Sequence, residues 1–175
     1  MKRYIALYNT YDKNKFREGH RRAIVRASTL AYSFDFDILL FDFPEVESIN
    51  ELISLCTLRT TVGERGKYLK ELAANNRIHM HPSIKKGFPP QYKPIVATTS
   101  HPDAEKKITT GKLAEMYREN RRFTILFGLG HRGLSRKILE ASDYHYEVTG
   151  RNFDLETCVA MGCVVGKICG FVEGL

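Results

Sequence analysis

Apolar positions along the chain switch between continuous runs and helical spacing, and the switches alternate regularly. Lys2–Tyr8 is a short apolar run that predicts a strand. Phe16–Phe34 places Ala23, Ala27, Leu30, Ala31 and Phe34 on one face, which predicts a helix. Asp37–Phe43 is almost continuously apolar, the pattern of a strand covered on both faces. Helices are predicted near Val46–Leu58 and Glu64–Ala74, the second opened by a capping box, Thr61-Val62-Gly63-Glu64. From Arg77 to Tyr92 the pattern loosens into a loop punctuated by Pro82, Gly87, Pro89 and Pro90. Pro94–Thr99 predicts the next strand, and Thr109 and Thr110 cap a helix running to about Glu119. A strand at Phe123–Phe127, a helix at Leu134–Ala141, a strand at Asp143–Val148 and a last helix from about Leu155 complete the series. Alternation of this kind predicts an α/β fold: a mainly parallel sheet flanked by helices on both faces. Residues 1–175 read as a single domain without internal repeats.

Length and composition agree with that picture. A chain of 175 residues buries a substantial core, and contents of 43% hydrophobic and 27% charged residues are ordinary for a globular protein. Met1-Lys2-Arg3 runs straight into a strand, which leaves no room for a targeting segment. The longest apolar stretch, Cys158–Val172, is interrupted by Lys167 and is too short to span a bilayer. The expectation is a cytoplasmic protein without a membrane partner. The net charge of +7 favours a polyanionic partner, nucleic acid first. Four cysteines form no CxxC pair and read as buried thiols in a reducing compartment. His79 and His81 share one face of a strand-like stretch, but no third ligand is near in sequence, so no metal is expected.

Gly128-Leu129-Gly130-His131-Arg132-Gly133 is a literal G-x-G-x-x-G between a strand and a helix, and Glu147 ends the next strand at about the expected distance. An NAD(P)-binding oxidoreductase is therefore one alternative. The position of the motif argues against it. A dinucleotide fold places this turn after its first strand, whereas here a single strand and a helix remain to come.

Phe123–Arg136, Ala141–Gly150 and Leu155–Ala160 taken together resemble the C-terminal half of the SPOUT methyltransferases. In that family a strand ends in a glycine loop, a second strand ends in a glycine-containing turn, and a last helix follows. Ile95–Ser100 is similar to the first knot loop, and His20–Pro44 to the N-terminal motif. The chain most nearly resembles the archaeal ribose-methylating branch, or an uncharacterised archaeal relative of it. The resemblance implies a C-terminal trefoil knot over about residues 94–172. It also implies an S-adenosylmethionine pocket built from Ala97-Thr98-Thr99, from Leu126-Phe127-Gly128-Leu129-Gly130, from Val148-Thr149-Gly150, and from Leu155 and Thr157. Tight loops suit this ligand, because backbone groups can read adenine and glycine lets them approach closely.

The resemblance further implies an RNA substrate, tRNA or rRNA, and an arginine near the target oxygen. Arg26 is the candidate, with Arg22 as substitute. The loop Gly128–His131 lacks the acidic residue found in many members, and Asp154-Leu155-Glu156-Thr157 replaces a Ser/Asn pair. Ribose 2′-O and base methylation both stay open, with Asp154 or Glu156 as proton acceptor in the second case. His20, Arg21, Lys85, Lys86, Arg132 and Arg136 are the candidate RNA contacts. A non-catalytic RNA-binding protein of the same fold is the other alternative. Thr157–Val172 is apolar almost all round, with Gly162, Gly166 and Gly170 in one stripe, which predicts a homodimer through this helix.

Overall fold

A computed structural model describes residues 2–57, 66–85 and 87–174 of the chain. The capping box at Thr61–Glu64 and Lys86 lie outside the described residues. Strands β1 (Arg3–Tyr8), β2 (Asp37–Phe41), β3 (Ile78–His81), β4 (Ile95–Thr98), β5 (Phe123–Gly128) and β6 (Tyr144–Tyr146) form one sheet in the order β3-β2-β1-β5-β4-β6. Every pairing is parallel. The helices are α1 (Glu18–Ser33), α2 (Ile49–Thr57), α3 (Gly66–Ala74), α4 (Thr110–Arg118), α5 (Arg136–Ala141) and α6 (Thr157–Glu173). The expected α/β architecture is therefore present, with several predicted boundaries moved by a few residues.

Parity along the strands explains the layers. Ile5, Leu7, Ile38, Leu40, Val96, Ile125 and Phe127 point to one face and meet apolar residues of α1, α2, α3, α4 and α6. Tyr4, Ala6, Tyr8, Leu39, Phe41, Ala97 and Leu126 point to the other. That second face is covered by α5 and by the proline-rich segment, which contributes Ile84, Phe88 and Tyr92. Helices thus lie on both faces, but unequally. The loosened stretch after Arg77 also holds β3, an edge strand of sequence Ile-His-Met-His whose apolar signal is weak.

After β1 the chain builds outward through β2 and β3, then crosses back and inserts β5 between β1 and β4. The direction of winding reverses between β1 and β5. In open parallel sheets, ligands bind outside the carboxyl ends of the strands at such a reversal.

Candidate functional site

A cavity of about 700 Å³ opens at the carboxyl ends of β4, β5 and β6. That size lies within the range of roughly 300–1,000 Å³ usual for small-molecule sites. Three loops wall it: residues 98–101 after β4, 127–134 after β5, and the stretch from 146 to 157 that leads into α6.

Hydrogen bonds across these loops hold them in one arrangement. Thr98 Oγ1 donates to Leu126 O at 2.9 Å, fastening the first loop to the end of β5. Thr157 Oγ1 donates to Gly128 O at 2.8 Å, fastening the start of α6 to the second loop. Ser100 Oγ donates to Asp154 Oδ1, joining the first loop to the third. Behind them, buried His145 accepts from Asp103 N at 3.0 Å and donates to Leu139 O at 2.9 Å. This histidine, which the sequence pattern did not single out, ties the first loop to the end of α5.

Glycine is required in the second loop by contact. A Cβ on Gly128 would stand 2.6 Å from Gly133 C, and one on Gly130 would stand 2.4 Å from Thr10 O. The loop folds back on itself and on the exit of β1, where Leu129 N donates to Tyr8 O (3.0 Å) and Gly130 N to Thr10 Oγ1 (2.9 Å). Those two amides are committed, so they cannot cradle a pyrophosphate. Glu147 is committed too. It accepts from Thr149 N at 2.8 Å and from Gly150 N at 2.6 Å. Burial pushes its carboxyl up, but the hydrogen bonds from Thr149 and Gly150 outweigh burial and hold it below its usual range. Occupied amides in the loop and an occupied Glu147 both argue against the dinucleotide alternative.

Of the residues expected in the pocket, Thr98, Thr99, Phe127, Gly128, Leu129, Gly130, Val148, Leu155 and Thr157 line the cavity. Ala97 and Leu126 do not: their side chains belong to the buried second face of the sheet. Thr149 and Gly150 are also off the wall, drawn into the turn around Glu147. Ser100, His101, Tyr146, Phe153 and Ala160 line the cavity without having been expected there, and Asp154, a candidate proton acceptor, lines it too. Phe153 is 68% exposed at the rim.

Glu156, a candidate proton acceptor, faces the cavity, but its Oε2 caps α6 by accepting from Cys158 N (2.9 Å) and Val159 N (3.2 Å). Arg26 stands exposed on α1 against this same helix start. The neighbouring Cys158 side chain first, and further the charge of Glu156, favour its guanidinium form against the opposing effect of burial. Arg22 pairs with Glu18 at 3.2 Å and is not part of the cavity wall.

Among the expected RNA contacts, His20 is corrected. It is fully buried, packs against Phe16, Tyr11 and Phe43, and its Nδ1 accepts from Arg17 N at 2.8 Å. Its Nε2 meets Asn9 Oδ1 at 3.0 Å. Burial lowers its pKa, and no face is left for a nucleic acid. Arg21 is largely covered, paired with Glu18 and close to the ring of Phe16. Lys85 is exposed, and Arg136 is exposed and paired with Glu140. Arg132 is exposed on the cavity rim and has no ion pair among the described residues. His79 and His81 turn to different partners, Asp37 Oδ2 (3.4 Å) and Tyr92 OH (2.8 Å).

The fold is similar to that of solved methyltransferases of the SPOUT type. The chain superimposes on a probable methyltransferase from Bordetella pertussis Tohama I with a TM-score of 0.64, at 12% identity, over 98% of this chain and 96% of that one. A structure described as giving insights into 2-OH methylation of C/U34 on tRNA aligns with a TM-score of 0.60, at 14% identity, over 99% and 92% of the two chains. An AdoMet-bound rRNA methyltransferase from Sinorhizobium meliloti aligns with a TM-score of 0.54, at 14% identity, over 98% of this chain and 57% of that one. Within that architecture the chain belongs to the family described as Protein of unknown function (DUF531), whose pattern matches residues 3–169. An uncharacterised protein of Methanocaldococcus jannaschii is 36% identical over 164 residues, covering 94% of this chain and 91% of the relative.

Proposed function

We propose that this protein is an S-adenosylmethionine-dependent RNA methyltransferase acting in the cytoplasm on tRNA or rRNA, at a ribose 2′-oxygen or a base. The observation that carries the reading is the three-loop cavity at the carboxyl ends of β4, β5 and β6, closed by cross-loop hydrogen bonds from Thr98, Ser100 and Thr157.

The wall fits the cofactor. Phe127, Leu129, Leu134, Leu139, Val148 and Leu155 offer apolar surface to an adenine ring. The glycine loop brings backbone within reach of its edge, and Asp154 and Glu156 supply negative charge for a cationic ligand. Bound there, the cofactor would supply an electrophilic methyl group. The chain's residues orient it, exclude water behind Leu134 and Tyr146, and present Arg26 beside the start of α6 to hold the nucleotide. Arg132 at the rim and Lys85 on the surface are cations available to phosphates. Threading of the 147–157 stretch between the first and second loops, as a trefoil knot requires, is part of the proposal; Asp154 held by Ser100 and Thr157 held on Gly128 support it. Association of two copies through α6 is also proposed. Its outer face exposes Val159 (51%) and Phe171 (59%) beside Gly162, Gly166 and Gly170, at which a Cβ would meet nothing.

Titration calorimetry with S-adenosylhomocysteine tests the reading. Saturable one-site binding that weakens in Thr157→Val is expected. Absence of binding at millimolar ligand defeats the proposal, and RNA binding without it points to the non-catalytic alternative.

A further inference from the structure

Ser100, His101 and Asp154 come from loops 54 residues apart and form one hydrogen-bonded chain on the cavity wall. Ser100 Oγ contacts Asp154 Oδ1 on one side and His101 Nδ1, at 2.8 Å, on the other. The direction of each bond follows from the proton inventory. An ionised carboxylate only accepts, so the single hydroxyl proton of Ser100 is spent on Asp154. The contact with Nδ1 then requires that nitrogen to be the donor. A neutral imidazole protonated at Nδ1 carries its lone pair on Nε2. Among the described residues, Nε2 of His101 has no hydrogen-bond partner. The backbone supports the pose as well, because His101 N donates to Thr99 Oγ1 at 3.2 Å.

We propose that His101 is the proton acceptor of the methyl transfer, with Ser100 and Asp154 as positioning residues that fix its tautomer. This rests on the methyltransferase reading of the same cavity. As the attacking oxygen or nitrogen of the nucleotide bonds to the methyl carbon, the carbon–sulfur bond breaks with its electron pair going to sulfur. The proton of the nucleophile passes to Nε2. The imidazolium so formed is stabilised by Asp154 through the Ser100 hydroxyl, and because His101 is exposed it returns its proton to water. Asp154 thereby has a different task from direct proton acceptance. It is the acid-side end of a relay whose reactive atom is an imidazole nitrogen.

Two measurements decide the matter. Long-range ¹H–¹⁵N spectra of the free protein, followed with rising pH to the neutral imidazole, read the tautomer directly. The expected result is His101 protonated at Nδ1, reverting toward the mixture of free imidazole in Ser100→Ala. A wild-type His101 protonated at Nε2 overturns the relay. The second measurement is transfer of radiolabelled methyl from S-adenosylmethionine to total RNA from cells lacking the gene, alongside S-adenosylhomocysteine affinity. His101→Ala should lower kcat by about 10²–10⁴-fold, the usual contribution of a positioned base, keep its affinity for S-adenosylhomocysteine, and lose the acidic limb of the pH–rate profile. Unchanged rate and pH profile, or loss of S-adenosylhomocysteine affinity together with rate, overturns the assignment. If the wild type binds no S-adenosylhomocysteine, the methyltransferase reading fails instead, and the tautomer result stands apart from it.

Discussion

Replacing Gly130 by alanine separates a glycine required by contact from one required only by conformation. A Cβ there would lie 2.4 Å from Thr10 O and 2.8 Å from Thr10 C, both backbone atoms at the exit of the central strand. No flexible side chain can swing aside, so either the second loop or the end of β1 must shift. Forced overpacking of this kind costs about 1–3 kcal/mol. The shift also stretches Gly130 N to Thr10 Oγ1 and Leu129 N to Tyr8 O, each worth about 1 kcal/mol net. A total loss of about 3 kcal/mol corresponds to a Tm lower by roughly 6–12 °C for a chain of this size. Gly133→Ala is the control. Gly133 has φ +62° and nothing within 4 Å of a new Cβ, so only the left-handed backbone is penalised, at about 1–2 kcal/mol. Thermal unfolding followed by circular dichroism measures both, and calorimetry with S-adenosylhomocysteine measures the pocket. Gly130→Ala should lose more stability than Gly133→Ala, and should bind the ligand more weakly. Equal losses, or a Gly130→Ala protein with native affinity, refute the argument that the loop is braced on Thr10.

Other substitutions probe separate parts of the molecule. Gly166→Ala should stabilise an isolated chain by about 0.5–1 kcal/mol, since its Cβ meets nothing and alanine favours the helix; in a dimer seated on that stripe it should raise the dissociation constant measured by sedimentation. Unaltered association removes the stripe from the interface. His20 has its pKa lowered by burial from its ordinary 6.5, so the unfolded chain binds its proton more readily. Its contribution is therefore complete above about pH 6.5 and is lost as the pH falls through the lower folded value. Urea unfolding between pH 7 and about 5 should show a downward slope that is shallower in His20→Gln. Glu147→Gln should loosen the turn at Thr149 and Gly150 and flatten the acid-side fall in stability below the usual carboxylate range, because a depressed carboxyl stabilises only while it stays ionised.

Strand parity accounts for what the sequence made legible and what it hid. Near-continuous apolar runs at β1, β2 and β5 announced central strands, and glycines marked the turn after β5. Ala97 and Leu126 stay off the cavity wall, because alternation within a strand sends these two side chains into the second face while the cavity-lining residues begin at Thr98 and Phe127. β3 showed only as a strand-like stretch inside the loosened segment, because two of its four residues are histidines that find partners in Asp37 and Tyr92. His20 looked basic and helical, yet at the third position of α1 it faces inward to receive the Arg17 amide. The contact between Ser100 and Asp154 joins positions whose spacing carries no periodic signal. Only the fold brings them together.

The insertion of β5 between β1 and β4 also sets an order of events. β1 pairs with β2 some 33 residues away in register, Tyr4 against Asp37, but its other edge waits for Thr124, 120 residues on from Tyr4. Contacts of such separation form late and slow folding. During synthesis, the first three strands can assemble while one side of β1 remains an unpaired edge, open to other chains until residues 123–128 have emerged. The fifth strand to be made thus closes the middle of the sheet, and in the same step delivers the glycine loop to Thr10. A truncated chain ending before β5 would carry that open edge permanently, with aggregation as its expected fate.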